Sequence, residues 1–357
     1  MPRSIEIWRG ARIARALIFA AAFGAGLGGL IHPGADAAPA PDNGAVIIMY
    51  HRFGETGLPS TNIRIDQFEA HIAELTSGRY TVLPLPEIAA ALNENRPLPE
   101  RTVGISIDDA FASVHAEGWP RLKAAGLPFT LFVATDPLDK GLPDYMSWDQ
   151  LREMVSGGGV TVGHHSARHG HMPRQSAADN RAEIARASAR FQEELGAVPE
   201  LFAYPYGELG LELRDVVAVA GFKAAFGQHS GAAGRTADLH MLPRFPLNEA
   251  YGDMGRFRLV VNSLPLPVED VTPADPLIGA DNNPPFYGFT VLKGVKGLSA
   301  LNCFASQNEL TVERLGERRI ETRLAQALPP GRSRINCTMP GPEGRWRWSG
   351  VQFYVLP

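Results

Sequence analysis

A chain of 357 residues has room for about two domains, and 45% hydrophobic with 20% charged residues is a globular composition, not a disordered one. The formal charge is −4 and the basic residues are dispersed outside the N-terminus, which excludes the electrostatic footprint of a nucleic-acid binder.

In chain order, Arg3, Arg9, Arg12 and Arg15 precede the apolar run ALIFAAAFGAGLGGLI, and Ala35-Asp36-Ala37 follows it. The run is shorter than the roughly 20 residues a good membrane span needs. It reads as a secretory signal peptide over residues 1–37, cut after Ala37, with an uncleaved anchor as the alternative. Cleavage leaves no stable membrane span and a periplasmic or secreted protein. In that oxidising setting the only two cysteines, Cys303 and Cys337, are most simply a disulfide; two buried thiols are the alternative.

From residue 44 strand-like and helix-like runs alternate. AVIIMYH, YTVLPL, TVGISIDD, PFTLFVAT, VTVGHH, LFAYPYG, KAAF and MLPRF read as strands. Between them, FEAHIAELTSG, PEIAAALNEN, VHAEGWPRLKAAG, SWDQLREMVSGGG, AADNRAEIARASARFQEELG and LRDVVAVAG read as helices. Ser147 with Gln150 makes a capping box for the fourth. Repeated β–α units predict a parallel sheet covered by helices, and seven or so of them suit a barrel better than an open sheet. No G-x-G-x-x-G follows the first strand, so no dinucleotide site is indicated. After about residue 258 proline and glycine become dense and only short runs remain, which predicts a small all-β, sandwich-like domain tied by the disulfide. The expected organisation is thus an α/β distorted barrel over 38–257 and a β domain over 258–357. In the latter, RWRWSGVQFYV reads either as a half-buried core strand or as an aromatic face for sugars.

The reactive side chains fall at strand ends: His51, then Asp108 and Asp109, then His164, His165, His169 and His171, then Tyr204-Pro205-Tyr206-Gly207. In a β/α barrel these ends converge on one face. Alone, Asp-Asp could be a helix N-cap. Beside a histidine pair four residues apart, one carboxylate completes a metal site with open positions, and the other is free for proton transfer. Such a site acidifies water and polarises a carbonyl.

SIDDAF, HSARH and FAYPYG, in this order, resemble the signature motifs of the polysaccharide deacetylases, the NodB-like carbohydrate esterases, over about residues 44–257. The early MYHRF resembles the branch that deacetylates poly-N-acetylglucosamine. The resemblance implies a (β/α)7 distorted barrel and hydrolytic N-deacetylation of a GlcNAc-containing polysaccharide or oligosaccharide. It implies Asp108 as base and His51 as general acid, with Asp109, His165 and His169 holding a divalent metal. Tyr206 would offer its backbone N–H to the oxyanion. Zinc suits this donor set, and cobalt or nickel also fit. The sequence departs from the pattern at Ile107, Ala110, His164 and Ala203. Where many members carry an arginine at position 203, Arg244 could supply the charge from the last strand, or could be a strand-end salt bridge. His164 with His169 is a competing ligand frame, although alternation along the strand turns His164 away. A catalytically silent carbohydrate-binding protein and an O-acetyl esterase are the alternative functions.

Overall fold

The structure of the protein, a computed structural model, describes residues 42–357; the expected leader lies outside the described residues. Among the described residues eight strands of the main sheet run parallel: the two-residue Thr81–Val82, beside the start of the second strand below, and β1 (Gly44–Tyr50), β2 (Thr102–Asp108), β3 (Phe129–Val133), β4 (Val160–His164), β5 (Leu201–Ala203), β6 (Ala224–Phe226) and β7 (Phe245–Pro246). Hydrogen-bonded neighbours follow in that order from β1 to β6, and β7 pairs back with β1. Leu242, just before β7, bridges Phe226 of β6, so the segment 242–246 spans the gap and the sheet curls into a distorted barrel. A short antiparallel strand, Ala232–Gly234, covers the other edge of β1.

The inner strands are continuous apolar runs because both faces are covered. Every residue of β2 and β3 is buried, Asp108 included. Ser147 and Gln150 form both bonds of the capping box that opens the helix Trp148–Ser156. The longest helix, Ala177–Leu195, starts at a Ser176 cap and stops at Gly196, whose φ of 74° an L-residue adopts only at a cost. Among the described residues no helix is long and apolar enough to cross a membrane.

Three local expectations are modified. YTVLPL shrinks to a two-residue strand, Thr81–Val82, because Pro84 caps the next helix. The predicted helix from Val114 begins with a wide five-residue turn, and regular α geometry starts at Trp119. Gly118 sits in that turn, and a Cβ there would lie 2.9 Å from the Phe53 ring. The change of texture at residue 258 falls inside the helix Met254–Val261, so β structure resumes only at Leu264.

Beyond that helix two sheets enclose a second apolar core containing Phe289, Ile320, Ile335 and Phe353. The first sheet contains β8 (Gly331–Pro340) and β9 (Trp346–Val355), an antiparallel pair. Cys303 and Cys337 lie directly opposite each other on neighbouring strands and are disulfide-bonded. Phe353 and Tyr354 are buried and Trp348 packs edge-on against Phe245 of the barrel, whereas Trp346 stays 39% exposed. Most of the aromatic run therefore serves packing.

Candidate active site

Asp108 is the last residue of β2 and its side chain turns into the barrel, where it is fully buried. A buried carboxylate needs a counter-charge. Arg244, also fully buried, supplies it from the segment leading into β7, at 2.6 Å to Oδ1 and 2.8 Å to Oδ2. The guanidinium also donates to Gly227 O at 2.9 Å and lies over the Phe132 ring. Burial alone would raise the Asp108 carboxyl; the Arg244 charge overrides it, and the net shift is downward. Asp108 is therefore ionised across the neutral range. His51, which follows β1 directly, places Nε2 4.0 Å from Asp108 Oδ2.

Adjacent carboxylates on a strand would point to opposite faces. The backbone breaks that alternation at Asp109 and Ala110, which take φ values of 78° and 50°. Asp109 thereby swings onto the same rim as the histidines. Ser166, His169 and Tyr206 also have positive φ, so among the described residues half of the ten non-glycine residues of this kind lie in the three motifs. Such strain persists only where the surroundings hold it. Here Glu183, from the long helix, accepts from Arg168 N at 2.6 Å and Arg168 Nε at 2.9 Å, and Ser166 Oγ accepts from His169 N.

Asp109, His165 and His169 bring one ligand atom each within 4.8 Å of one another. His169 Nε2 lies 3.1 Å and His165 Nε2 3.5 Å from Asp109 Oδ1. His165 donates Nδ1–H to Ala203 O at 2.7 Å, which leaves a lone pair on Nε2. That Nε2 is buried and has no hydrogen-bond partner, an orphan that a metal ion would satisfy. Burial lowers His169 to about 4, so the ring is neutral, as a ligand must be. Burial opposes ionisation of Asp109, but the neighbouring imidazoles outweigh it and hold the carboxyl below its ordinary range. The donor set thus fits a divalent metal with open positions.

His164 points to the other face. It packs among Phe191, Phe202 and Phe222, accepts from Ser166 N through Nδ1 and reaches Ile184 O through Nε2. Burial lowers it to about 3. His165→Ala is expected to weaken metal affinity more than about 100-fold, the upper range for losing only an outer-shell partner. His164→Phe should keep full metal content while costing about 1–3 kcal/mol for the stranded Ser166 N–H. Metal analysis and urea unfolding of both variants check this.

Tyr206 occupies a turn with φ 59° and ψ 4°, edge-on to His169 and stacked on His171. His171 in turn bonds the buried Glu208 at 2.7 Å. Glu208, Glu183 and the C-terminal residues that reach this turn escaped the sequence reading; only Glu208, directly after YPYG, had a local signal.

Residues 95–225 match the family described as polysaccharide deacetylase. That segment contains Asp108, Asp109, His165, His169 and Tyr206, whereas His51 and Arg244 lie outside it. The chain is similar to poly-beta-1,6-N-acetyl-D-glucosamine N-deacetylase of Escherichia coli (strain K12), with 24% identity over 250 residues, 58% of this chain and 37% of that protein. The protein of the same name from Staphylococcus aureus (strain MRSA252) is 22% identical over 237 residues, covering 58% of this chain and 80% of the relative. Among solved structures, the fold resembles Streptococcus pyogenes deacetylase PplD in complex with acetate, with a TM-score of 0.57 and 19% identity. That match covers 61% of this chain and 98% of the other.

Proposed function

The chain carries a polysaccharide deacetylase domain, and on that premise we propose that it is an exported hydrolase that removes N-acetyl groups from a poly-N-acetylglucosamine. The observation that carries this reading is the pairing of two unlike carboxylates on one rim. Asp109 joins His165 and His169 as a metal-binding triad, while Asp108 is held apart and ionised by Arg244.

A divalent metal held by Asp109, His165 and His169 would supply Lewis acidity, making water more acidic and the acetyl carbonyl more electrophilic. Asp108 accepts the proton of the attacking water, and its bidentate bond to Arg244 keeps it anionic and in place. The carbonyl carbon becomes tetrahedral, and the backbone N–H of Tyr206 is assigned as a donor to its oxygen. His51, beside Asp108, protonates the amide nitrogen as the C–N bond breaks, so acetate and a free sugar amine leave. The apolar leader sequence and the Cys303–Cys337 disulfide support a periplasmic or secreted location.

Acetate release from β-1,6-linked GlcNAc oligomers, β-1,4-linked oligomers and peptidoglycan tests the assignment. Preferential release from the β-1,6 series is expected. Binding of these glycans without any acetate would support a silent carbohydrate-binding protein instead, and release only from O-acetylated sugars an esterase.

A further inference from the structure

The last two strands carry two faces of different character. On β8 and β9, Arg334 stands opposite Gln352 and Arg332 opposite Tyr354. Strand alternation puts these four side chains on one face, while Ser333, Ile335, Phe353 and Val355 turn into the C-terminal core or toward it. The first face is applied to the loops of the active-site rim. Gly350 permits the approach, since a Cβ there would lie 2.4 Å from Ser230 O.

Gln352 is 4% exposed and donates its amide to two consecutive carbonyls, Tyr206 O at 3.0 Å and Gly207 O at 2.9 Å. Tyr206 and Gly207 are both left-handed, with φ 59° and 66°. Two adjacent carbonyls facing one group accept only an NH2; the other amide atom, Gln352 Oε1, is left buried without a partner. That cost is tolerated at the one place where the strained turn needs holding. Around it, the Arg332 guanidinium lies 5.5 Å from the Tyr206 ring and 3.7 Å from Glu208 Oε1. Arg174, in the loop after the histidine motif, donates to Tyr354 Oη at 2.6 Å.

We infer that Gln352, delivered by the final strand from outside the matched family segment, is a positioning residue that sets the Tyr206–Gly207 turn against His169 and the reacting carbonyl. The C-terminal sheets then complete the active site rather than decorate it. The inference rests on the proposed deacetylation for its kinetic consequence, but the geometry predicts a product-binding effect as well.

The experiment compares full-length wild type, Gln352→Met and Gln352→Glu in the metal-loaded state. The methionine variant keeps the volume and loses both donors. It is expected to lower kcat about tenfold to 100-fold through displacement of the turn, with KM changed less than about twofold. Its affinity for acetate should fall in parallel and its melting temperature stay within a few degrees. In the glutamate variant a carboxyl faces two carbonyl oxygens, which raises it above its usual value of about 4.3. When protonated it still donates one bond; when ionised it repels both carbonyls. Its kcat should therefore fall as pH rises, across a range where the wild type does not fall. Wild-type kcat and acetate affinity in a folded Gln352→Met would overturn the inference. So would a Gln352→Glu profile parallel to the wild type, which decides alone if the methionine variant does not fold. Should the wild type release no acetate at all, the proposed function fails, while weakened acetate binding in the variants would still uphold the brace.

Discussion

Replacing Asp108 with asparagine is expected to lower kcat by about a thousandfold, the mid-range effect of removing a positioned proton acceptor. Metal content should not change, because the proposed ligand atoms are those of Asp109, His165 and His169. Asparagine keeps the shape of the carboxylate but cannot take a proton from water, and its NH2 would face a guanidinium N–H. One of the two bonds to Arg244 is lost and the buried cation is left uncompensated, so stability should also fall, by about 3–5 kcal/mol. Kinetics must therefore be read well below the variant's melting temperature. Turnover near the wild-type rate in the folded variant would show that Asp108 is not the base.

Arg244→Met should also cost about 3–5 kcal/mol of stability at neutral pH, because it strands the buried Asp108 carboxylate. The pH dependence distinguishes this from a packing defect. In the wild type the folded-state carboxyl lies below its ordinary value of 3.8. The pair therefore contributes stability that is fully present above about pH 4 and is lost as pH falls through the lowered value. Without Arg244 the strongest charge opposing burial is gone, only His165 and His51 still favour the ionised form, and the carboxyl is expected to rise above 3.8. The variant then loses stability as pH increases through that raised value, and the gap to the wild type narrows toward pH 4. Urea unfolding between pH 4 and 8 measures it, and a small, pH-independent difference would contradict the account. Activity should fall too, with its acidic limb displaced upward, since a protonated Asp108 accepts no proton.

Much of this arrangement was legible because it is written in local periodicity. Continuous apolar runs marked the inner strands, and strand ends located the chemistry. Alternation alone turned His164 away from His165, and the structure seats His164 among three phenylalanines. Arg244 was readable as a candidate counter-charge, but its full burial was not, because that depends on segment 242–246 spanning β6 and β1. The left-handed residues at Ala110 and Tyr206 left no trace in residue type, since alanine and tyrosine rarely adopt such φ values unless tertiary contacts impose them, whereas aspartate at 109 tolerates one more readily. Gln352 was invisible for a different reason: its partners lie 146 and 145 residues away, and no local pattern encodes a bond between strand and loop at that separation.

The most direct measurement is acetate and free-amine release from β-1,6-linked GlcNAc oligomers by protein stripped with a chelator and then reloaded. Stripped protein should release neither product, and zinc, cobalt or nickel should restore both in equal amounts, with no restoration in His165→Ala. Undiminished release by protein shown to be free of metal, or full restoration in His165→Ala, would contradict the account.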